Sequence, residues 1–404
     1  MAQSGVTTVS NRLERRARIS DLLRSADVED LLSLGRADVL SLHLDTDPTK
    51  PENQRPEPAY RIWARKSVLE LATGLGSSER KRLDELAERV DARLREDRPG
   101  GRGLVLYAAD GLWREYVLPV GVENRVRYGF ADLWPLLWVR EAYTPYGVLL
   151  VHRDHARLWV THLGEAELVE DEEFHLDPSQ WRFASGKPPS FAKGMGMPAS
   201  RGAQRDTFAS RVEDHVRRFW SRVASAAGKA VEELGVGRLI VGGPPEAASA
   251  VCDLLPESAR RKLVGTVSVP PQEEWPAVRE RVLEVAREDQ RRRHHEVRDR
   301  LRNGEGPGGA VLGPEATLDA LLRRQVLVLA ADRDVDGRAW LCTGCEFATL
   351  RPDERCLTCG AGLVEASWTQ VLPALAWRND AQVVLLEPGL LREHGGVGAL
   401  LRYR

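Results

Sequence analysis

Four of the five cysteines lie in two closely spaced pairs near the C-terminus. Cys342 and Cys345 form one CxxC turn, and Cys356 and Cys359 form a second after ten intervening residues. Two such turns at this separation can place four thiolates at the corners of a tetrahedron, which is the ligand set of a structural Zn²⁺ ion. Protein fills all four positions, so no position remains for a reacting water. The pattern therefore predicts a structural zinc site rather than a catalytic one, and a redox dithiol would need only one CxxC pair.

Three other residues of metal-binding type are interpreted as structural. Cys252 lies in an apolar helical pattern and is expected to be a core residue. His294 and His295 are adjacent within "RRRHHE". Neighbouring residues on a helix point about 100° apart, so we expect a solvated basic face rather than a metal site.

A basic, glycine-containing segment precedes a helical pattern in the middle of the chain. Residues 179–205 contain no acidic residue and carry basic side chains that could neutralise RNA phosphates, among them Lys187, Lys193, Arg201 and Arg205. The glycines would let the backbone approach a partner closely, and Gln204 offers an amide that could orient a water. Neither GxxxxGK[ST] nor GxGxxG is present. The segment is interpreted either as a mobile RNA-binding arm or as a surface loop without a role.

Length and composition indicate a folded protein of two or three domains. The chain has 404 residues, 42% hydrophobic residues and a net charge of −2, which argues against a general nucleic-acid coat protein. It has no apolar run long enough to cross a membrane. Its N-terminal residues lack the apolar segment of a signal peptide. A cytoplasmic protein without a membrane partner is expected.

Hydrophobic periodicity predicts an α/β (α+β) protein of three domains. The domains are expected at 1–145 (N-terminal α/β), 146–302 (middle) and 311–404 (C-terminal α/β with the cysteine unit), and residues 303–313 are interpreted as a linker. The main predicted elements are helices over 11–34, 59–96, 206–234 and 275–301, a strand over 38–48, and a hairpin turning at 153–155.

Several segments together resemble the bacterial branch of the archaeal–eukaryotic class I peptide chain release factor family, which includes Pelota-like relatives. The C-terminal region resembles the third domain of that family, including "GGVGALLRY" at residues 395–403. The segments "YGVLLVHRDHARLWV", "RGAQRDTF" and "RLIVGGPPE" resemble the second domain in the same order. The N-terminal segments "VLSLHLDTDP" and "GRGLVLYAADGLW" are similar to the bacterial members. The likeness covers residues 38–404.

The resemblance implies an RNase H-like middle domain and a kink-turn-protein-like C-terminal domain with a zinc insertion. It also implies that the middle domain carries a Gly-Gly-Gln loop that enters the ribosomal peptidyl-transferase centre, where the Gln helps to place a water for attack on peptidyl-tRNA. The corresponding residues here are Gly202, Ala203 and Gln204. Ala203 departs from the pattern, and it costs about 1–2 kcal/mol if that position needs a positive φ.

The resemblance leaves two main functional hypotheses. Because no stop-codon-reading motif such as "NIKS" occurs in the first region, the first is codon-independent peptidyl-tRNA hydrolysis in ribosome rescue or quality control, with Gln204 positioning the water. The alternative is a non-catalytic hibernation factor that occupies the ribosomal A site, which Ala203 favours. Both imply contact with ribosomal RNA and peptidyl-tRNA, and a translation GTPase is a further possible partner. A nuclease is the third and least favoured hypothesis, because no carboxylates cluster near the loop.

Overall fold

The computed structural model describes residues 31–32, 38–162, 165–173, 201–270, 273, 275–345, 347–351 and 355–403, and for some of these only the backbone. In this part the chain is a mixed α/β protein with several sheets, as predicted. It divides into two compact units, Met1–Thr144 with His162–Glu165 and Gln290–Arg404, and Pro145–Thr161 with Ala166–Asp289. The three domain boundaries stay a prediction. Most of the helix predicted over 11–34 lies outside the described residues.

The first unit begins with a four-stranded antiparallel sheet of order β3-β2-β1-β4. Alternate residues of β1 face opposite sides, as the period of a strand requires. Leu40, Leu42 and Leu44 pack against two helices, whereas Ser41 and His43 alternate with them. The elements are β1 (Val39–Asp45), α1 (Ala59–Ala72), α2 (Ser77–Glu96), β2 (Gly103–Ala109), β3 (Leu112–Leu118) and β4 (Arg125–Gly129).

The single helix predicted over 59–96 is wrong, because the chain forms α1 and α2 with a break at residues 73–76. Gly74 and Gly76 lie in the break, and glycine is a poor helix former. Gly76 caps α2, and its N–H donates to the Glu79 carboxylate at 3.3 Å. The continuous amphipathic pattern hid this break, because both helices bury the same kind of apolar stripe against one sheet.

A buried polar network lies beyond β4. Asp132 is fully buried, and its Oδ2 lies 2.7 Å from Arg125 Nε. Arg125 Nη2 also donates to Thr369 Oγ1 at 2.6 Å. The Tyr107 hydroxyl donates to the Asp132 carbonyl at 3.0 Å, and the Asp132 N–H donates to Ser41 Oγ at 3.1 Å. Burial raises the pKa of Asp132 by more than the guanidinium of Arg125 lowers it.

Helix α3 (Trp134–Ala142) follows this network and belongs to two cores. Leu136 and Val139 pack into the core of the N-terminal sheet. Trp134 and Leu137 pack into the core of a second sheet formed by C-terminal residues, and Trp134 Nε1 donates to the Arg333 carbonyl at 3.0 Å. The N-terminal sheet and this C-terminal sheet therefore share one helix.

The C-terminal sheet has the order β10-β16-β11-β15, with β11 and β15 parallel and the other pairs antiparallel. The cysteine unit is a three-stranded sheet of order β13-β12-β14, inserted between β11 and helix α9. The elements are β10 (Ala310–Leu312), α8 (Pro314–Leu322), β11 (Val326–Asp332), β12 (Arg338–Cys342), β13 (Ala348–Thr349), β14 (Leu363–Ser367), α9 (Trp368–Arg378), β15 (Gln382–Leu386) and β16 (Val397–Leu401).

The linker predicted over 303–313 is in fact packed against the C-terminal strand. The Gly308 N–H donates to the Leu401 carbonyl at 2.9 Å, and the Leu401 N–H donates to the Gly309 carbonyl at 3.0 Å. Residues 310–312 then continue as β10. The glycines that suggested flexibility serve close approach instead, because a Cβ on Gly308 would lie 2.3 Å from the Tyr403 carbonyl carbon.

The second unit contains a five-stranded sheet of order β7-β6-β5-β8-β9. Strands β5 and β6 form the predicted hairpin, closed by the His152 N–H donating to the His155 carbonyl at 2.8 Å. Strands β8 and β9 lie parallel to β5. The strands are β5 (Gly147–Val151), β6 (His155–His162), β7 (Glu165–Glu173), β8 (Leu239–Gly243) and β9 (Leu263–Ser268).

Helices cover both faces of this sheet. Helices α4 (Arg201–Glu233), α5 (Pro245–Leu254) and α6 (Glu257–Arg260) pack against Leu149 and Val151. The N-terminal half of α7 (Trp275–Asn303) packs on the opposite face through Val278 and Val282. Within the described ranges, every helix is too short or too polar to span a bilayer.

Helix α4 has 33 residues, which corresponds to a length of about 50 Å. The first of its described side chains that is buried belongs to Val216. We call residues 201–215 of α4 the stalk, and its backbone spans about 22 Å. The helix was expected to begin near Asp206 and begins at Arg201, consistent with the good helix propensities of Ala203, Gln204 and Arg205.

The close packing at Gly308 gives a stability test. A Gly308→Ala substitution should lower the free energy of unfolding by about 1–3 kcal/mol, because the new Cβ meets the backbone of Tyr403 rather than a movable side chain. Gly74→Ala is the matched control, since a Cβ at that position would have nothing within 4 Å. Urea unfolding monitored by tryptophan fluorescence gives both values. Equal midpoints for the two variants would contradict the packing.

Burial, and then the charge of Arg125, lower the pKa of His43 to about 3. The unfolded chain keeps the ordinary value of 6.5, so between these pH values only the unfolded chain binds the proton. The contribution of His43 to stability is therefore complete above pH 6.5 and is lost as the pH falls toward 3, with a slope of up to about 1.4 kcal/mol per pH unit. Urea unfolding over this range should show a shallower pH dependence for His43→Gln than for the unsubstituted protein. Parallel curves would show that His43 does not titrate on unfolding.

Candidate functional site

The four clustered cysteines lie on two turns of the inserted sheet. Cys342 ends β12, and Cys345 lies in the turn that follows it. Cys356 and Cys359 lie in a second turn ahead of β14. Pairing of Cys342 with Leu363 across β12 and β14 holds the two turns side by side. The strands thus bring together two pairs that are separate in the sequence.

The four Sγ atoms all lie within 4.8 Å of one another. The shortest separations are 3.4 Å between Cys342 and Cys359 and 3.5 Å between Cys345 and Cys356. Tetrahedral Zn²⁺ with bonds of about 2.3 Å requires sulfur atoms about 3.8 Å apart. The cluster is therefore compatible with a zinc site, as the spacing predicted.

Each sulfur accepts a hydrogen bond from the backbone N–H two residues later. The N–H of Gly344 donates to Cys342 Sγ at 3.2 Å, and the N–H of Thr358 donates to Cys356 Sγ at 3.4 Å. Phe347 and Ala361 serve Cys345 and Cys359 in the same way. Such donors orient thiolate ligands and stabilise their negative charge.

The thiols differ in acidity. Burial raises the pKa of Cys356, but the N–H groups of Cys359 and Thr358 and the neighbouring sulfurs outweigh it and lower the pKa to about 6. Burial and the sulfurs of the other three cysteines raise the pKa of Cys345 to about 12, against the N–H of Phe347. Without a metal, four sulfurs this close share their protons unequally. A divalent cation at their centre would favour the thiolate form of all four.

The other candidate residues surround the N-terminus of α4. Arg201, Gly202, Ala203, Gln204 and Arg205 form the first turns of this helix, whereas a loop was predicted for them. Their side chains lie outside the described residues. The remaining predicted RNA-binding residues, Lys187 and Lys193, lie wholly outside them.

The expectation of a solvated face for His294 is wrong. His294 is buried, its Nδ1 accepts the Glu387 N–H at 3.3 Å, and its Nε2 lies 3.5 Å from Glu141 Oε1. His295 is half-buried. The helical pattern could not reveal these partners, because Glu141 and Glu387 are distant in sequence. Cys252 is half-buried against the core of the second unit, as expected, and burial raises its pKa.

The cysteine cluster is the candidate metal site of the described residues. Among the described residues, the four cysteines are the only group of His, Cys, Asp or Glu side chains positioned to share one metal ion. The carboxylate cluster that a metal-dependent nuclease would need is not found in this part of the protein. The sequence reasoning missed the network around Asp132 and Arg125, which no local motif marks.

One family model matches the middle of the chain. Residues 132–291 match the model of bacterial archaeo-eukaryotic release factor family 10. This match confirms the family predicted from the sequence. A search of the curated proteins found no match.

Solved structures of translation factors match this chain at low identity and with low TM-scores. An archaeal translation termination factor, aRF1, is 17% identical with a TM-score of 0.25, covering 93% of this chain and 96% of that one. Dom34 of S. cerevisiae, described as a translation termination-like factor, is 11% identical with a TM-score of 0.40, covering 74% and 80%. Pelota of Archaeoglobus fulgidus is 17% identical with a TM-score of 0.31, covering 75% and 79%. All three TM-scores lie below 0.5, so neither the fold nor the function of this chain is inferred from these matches.

Proposed function

We propose that this chain, which belongs to the bacterial archaeo-eukaryotic release factor family over residues 132–291, is a ribosome-associated protein that hydrolyses peptidyl-tRNA without reading a codon. The observation that supports the proposal is the position of residues 202–204 in the first turn of a 33-residue helix. A long helix is stiff over this length, so it can hold a reactive group away from the body of its domain. A narrow probe of this kind suits entry into the peptidyl-transferase centre.

The N-terminus of α4 has the electrostatic character that such a reaction needs. The N–H groups of the first helical residues, including Gly202 and Ala203, have no acceptor within the helix. The helix dipole adds positive potential at the same end. An oxyanion that develops during attack on the peptidyl ester would be stabilised there, and Gln204 would orient the attacking water.

Basic side chains would guide this end to RNA. Arg201 and Arg205 flank Gln204 in the helix, and Lys187 and Lys193 precede it in sequence. Each would neutralise a phosphate of ribosomal RNA or of the tRNA end. We assign these four residues to RNA binding.

The domain assignments rest on topology. In the second unit, the consecutive strands β5, β6 and β7 form one side of the sheet. Strands β8 and β9 extend it beyond β5 and run parallel to β5. This strand order supports an RNase H-like middle domain. In the first unit, helices and strands alternate around β11, β15 and β16, which supports a kink-turn-protein-like C-terminal domain with a zinc insertion. Dom34 interacts with Hbs1, and an archaeal Pelota is bound to the ribosome with ABCE1. By analogy, the partners proposed here are the ribosome and a translation GTPase.

A second function, occupation of the ribosomal A site without hydrolysis, is favoured by Ala203 and by the helical start of α4 at Arg201. Alanine stabilises a helix by about 1 kcal/mol relative to glycine. The substitution therefore favours a helical tip over the glycine conformations that the family's Gly-Gly-Gln loop can adopt. A hibernation factor needs only the fit of this tip and no chemistry.

Peptide release distinguishes the two functions. With stalled bacterial ribosomes that carry labelled peptidyl-tRNA, Gln204→Ala should reduce the release rate on the order of a hundredfold while co-sedimentation with ribosomes stays unchanged. Lys229→Ala is the matched control, since Lys229 is exposed on the same helix, about 36 Å from Arg205. Ala203→Gly should raise the rate if the alanine limits catalysis. Binding without release by the unsubstituted protein supports A-site occupation, and absence of binding overturns both functions.

We further propose that the four cysteines hold one structural Zn²⁺. Two observations support this assignment: the four Sγ atoms lie within 4.8 Å of one another, and backbone N–H groups donate to the sulfurs. The ion would cross-link the two turns of a small sheet with little hydrophobic core of its own. Its role would be stability rather than catalysis.

Metal analysis of the purified protein tests the zinc site. One zinc per chain is expected by plasma mass spectrometry, and Cys356→Ser should lose it and unfold at lower temperature. Cys252→Ser, which removes the cysteine outside the cluster, should keep the zinc. Protein purified without zinc that neither binds added Zn²⁺ nor gains stability from it would contradict the proposal.

A further inference from the structure

The four proposed zinc ligands differ sharply in exposure. Cys342 and Cys356 are buried, at 2% and 4% exposed, and Cys345 is half-buried. Cys359 is exposed, and its neighbours Thr358 and Gly360 are exposed as well. One corner of the cluster is therefore open to small molecules in solvent.

This corner lies beside a buried sulfur with which it can react. Cys359 Sγ is 3.4 Å from Cys342 Sγ, and the other close pair is Cys345 with Cys356 at 3.5 Å. A disulfide needs an S–S separation of about 2 Å, so a small rearrangement of the turn after Cys356 would suffice. We therefore expect Cys359 to react first, because it is exposed, and Cys342 to be its partner, because its sulfur lies 3.4 Å away.

We propose that Cys359 is an oxidation site and that peroxides convert the zinc centre into a Cys342–Cys359 disulfide with release of the metal. The proposal rests on the zinc site proposed above. The Cys359 thiolate attacks one peroxide oxygen to form a sulfenic acid, and the second oxygen leaves as water after protonation. The Cys342 thiolate then attacks the sulfenic sulfur and expels hydroxide, which is protonated to water. Two thiolates lose two electrons in total, and one hydrogen peroxide is reduced to two waters.

The loss of two ligands explains why the metal would leave. Zn²⁺ would keep only Cys345 and Cys356, and two protein thiolates do not make a closed structural site. Strand pairing between β12 and β14 would remain, because its hydrogen bonds do not involve the sulfurs. A thiol reductant with added Zn²⁺ should therefore restore the centre.

The test uses the full-length, zinc-loaded protein treated with hydrogen peroxide. Released zinc is followed by the absorbance of a chromophoric chelator, and disulfides are mapped by mass spectrometry of non-reduced peptides. The expected first product is the Cys342–Cys359 disulfide, formed in step with zinc release and reversed by dithiothreitol with Zn²⁺. A Cys345–Cys356 disulfide formed first, or zinc retained while Cys252 is oxidised, would overturn the proposal.

Two matched variants locate the reactive sulfur. Cys359→His keeps a Cys₃His ligand set, which also binds structural zinc, and should slow peroxide-driven release by about tenfold or more because the exposed thiolate is gone. Cys345→His keeps the same ligand count and the reactive pair, so it should release zinc about tenfold or more faster than Cys359→His. Equal rates for both variants would overturn the assignment. Absence of zinc from the untreated protein would instead contradict the zinc site itself, so the two failures are distinguishable.

Discussion

The ion pair between Asp132 and Arg125 is the interaction on which the first unit depends. A fully buried carboxylate is costly unless it is paired and hydrogen-bonded, and here the main-chain groups of Asp132 are satisfied as well, by Tyr107 and Ser41. Arg125 in turn contacts Thr369 at the start of α9. The network fixes the turn that begins α3, and α3 contributes to the cores of both sheets. The inserted cysteine sheet packs into the second of these cores through Leu341 and Ala366.

In the second unit, the main question is how the long helix α4 is attached to the sheet. The sheet packs against the C-terminal part of α4, where Val216, Phe219 and Val223 are buried. The Trp220 indole N–H also donates to the His152 carbonyl at 2.9 Å, which fixes the helix to the turn of the β5–β6 hairpin.

Local patterns in the sequence predicted the elements that depend on local chemistry. The spacing of the cysteines, the β5–β6 hairpin and the alternation along β1 all follow from short-range rules. The features that the sequence did not predict depend on residues that are distant in sequence. The burial of His294 requires Glu141 and Glu387, the ordered path of residues 306–309 requires β16, and the pairing of Asp132 with Arg125 has no local signature. The start of α4 could not be predicted from its glycines, because neighbouring good helix formers offset them.

The residue at position 203 links fold and function most directly. If catalysis needs a positive φ at that position, alanine imposes a cost of about 1–2 kcal/mol, and its preference of about 1 kcal/mol for the helix over glycine adds to the bias. Together these reduce the population of a glycine-like loop on the order of 30- to 150-fold, because about 1.4 kcal/mol corresponds to a factor of ten. A helical tip keeps the N–H donors and the positive dipole end, so it retains the means to stabilise an oxyanion while presenting Gln204 differently. Under the proposed function, this one methyl group would shift the balance from hydrolysis toward occupation of the same site.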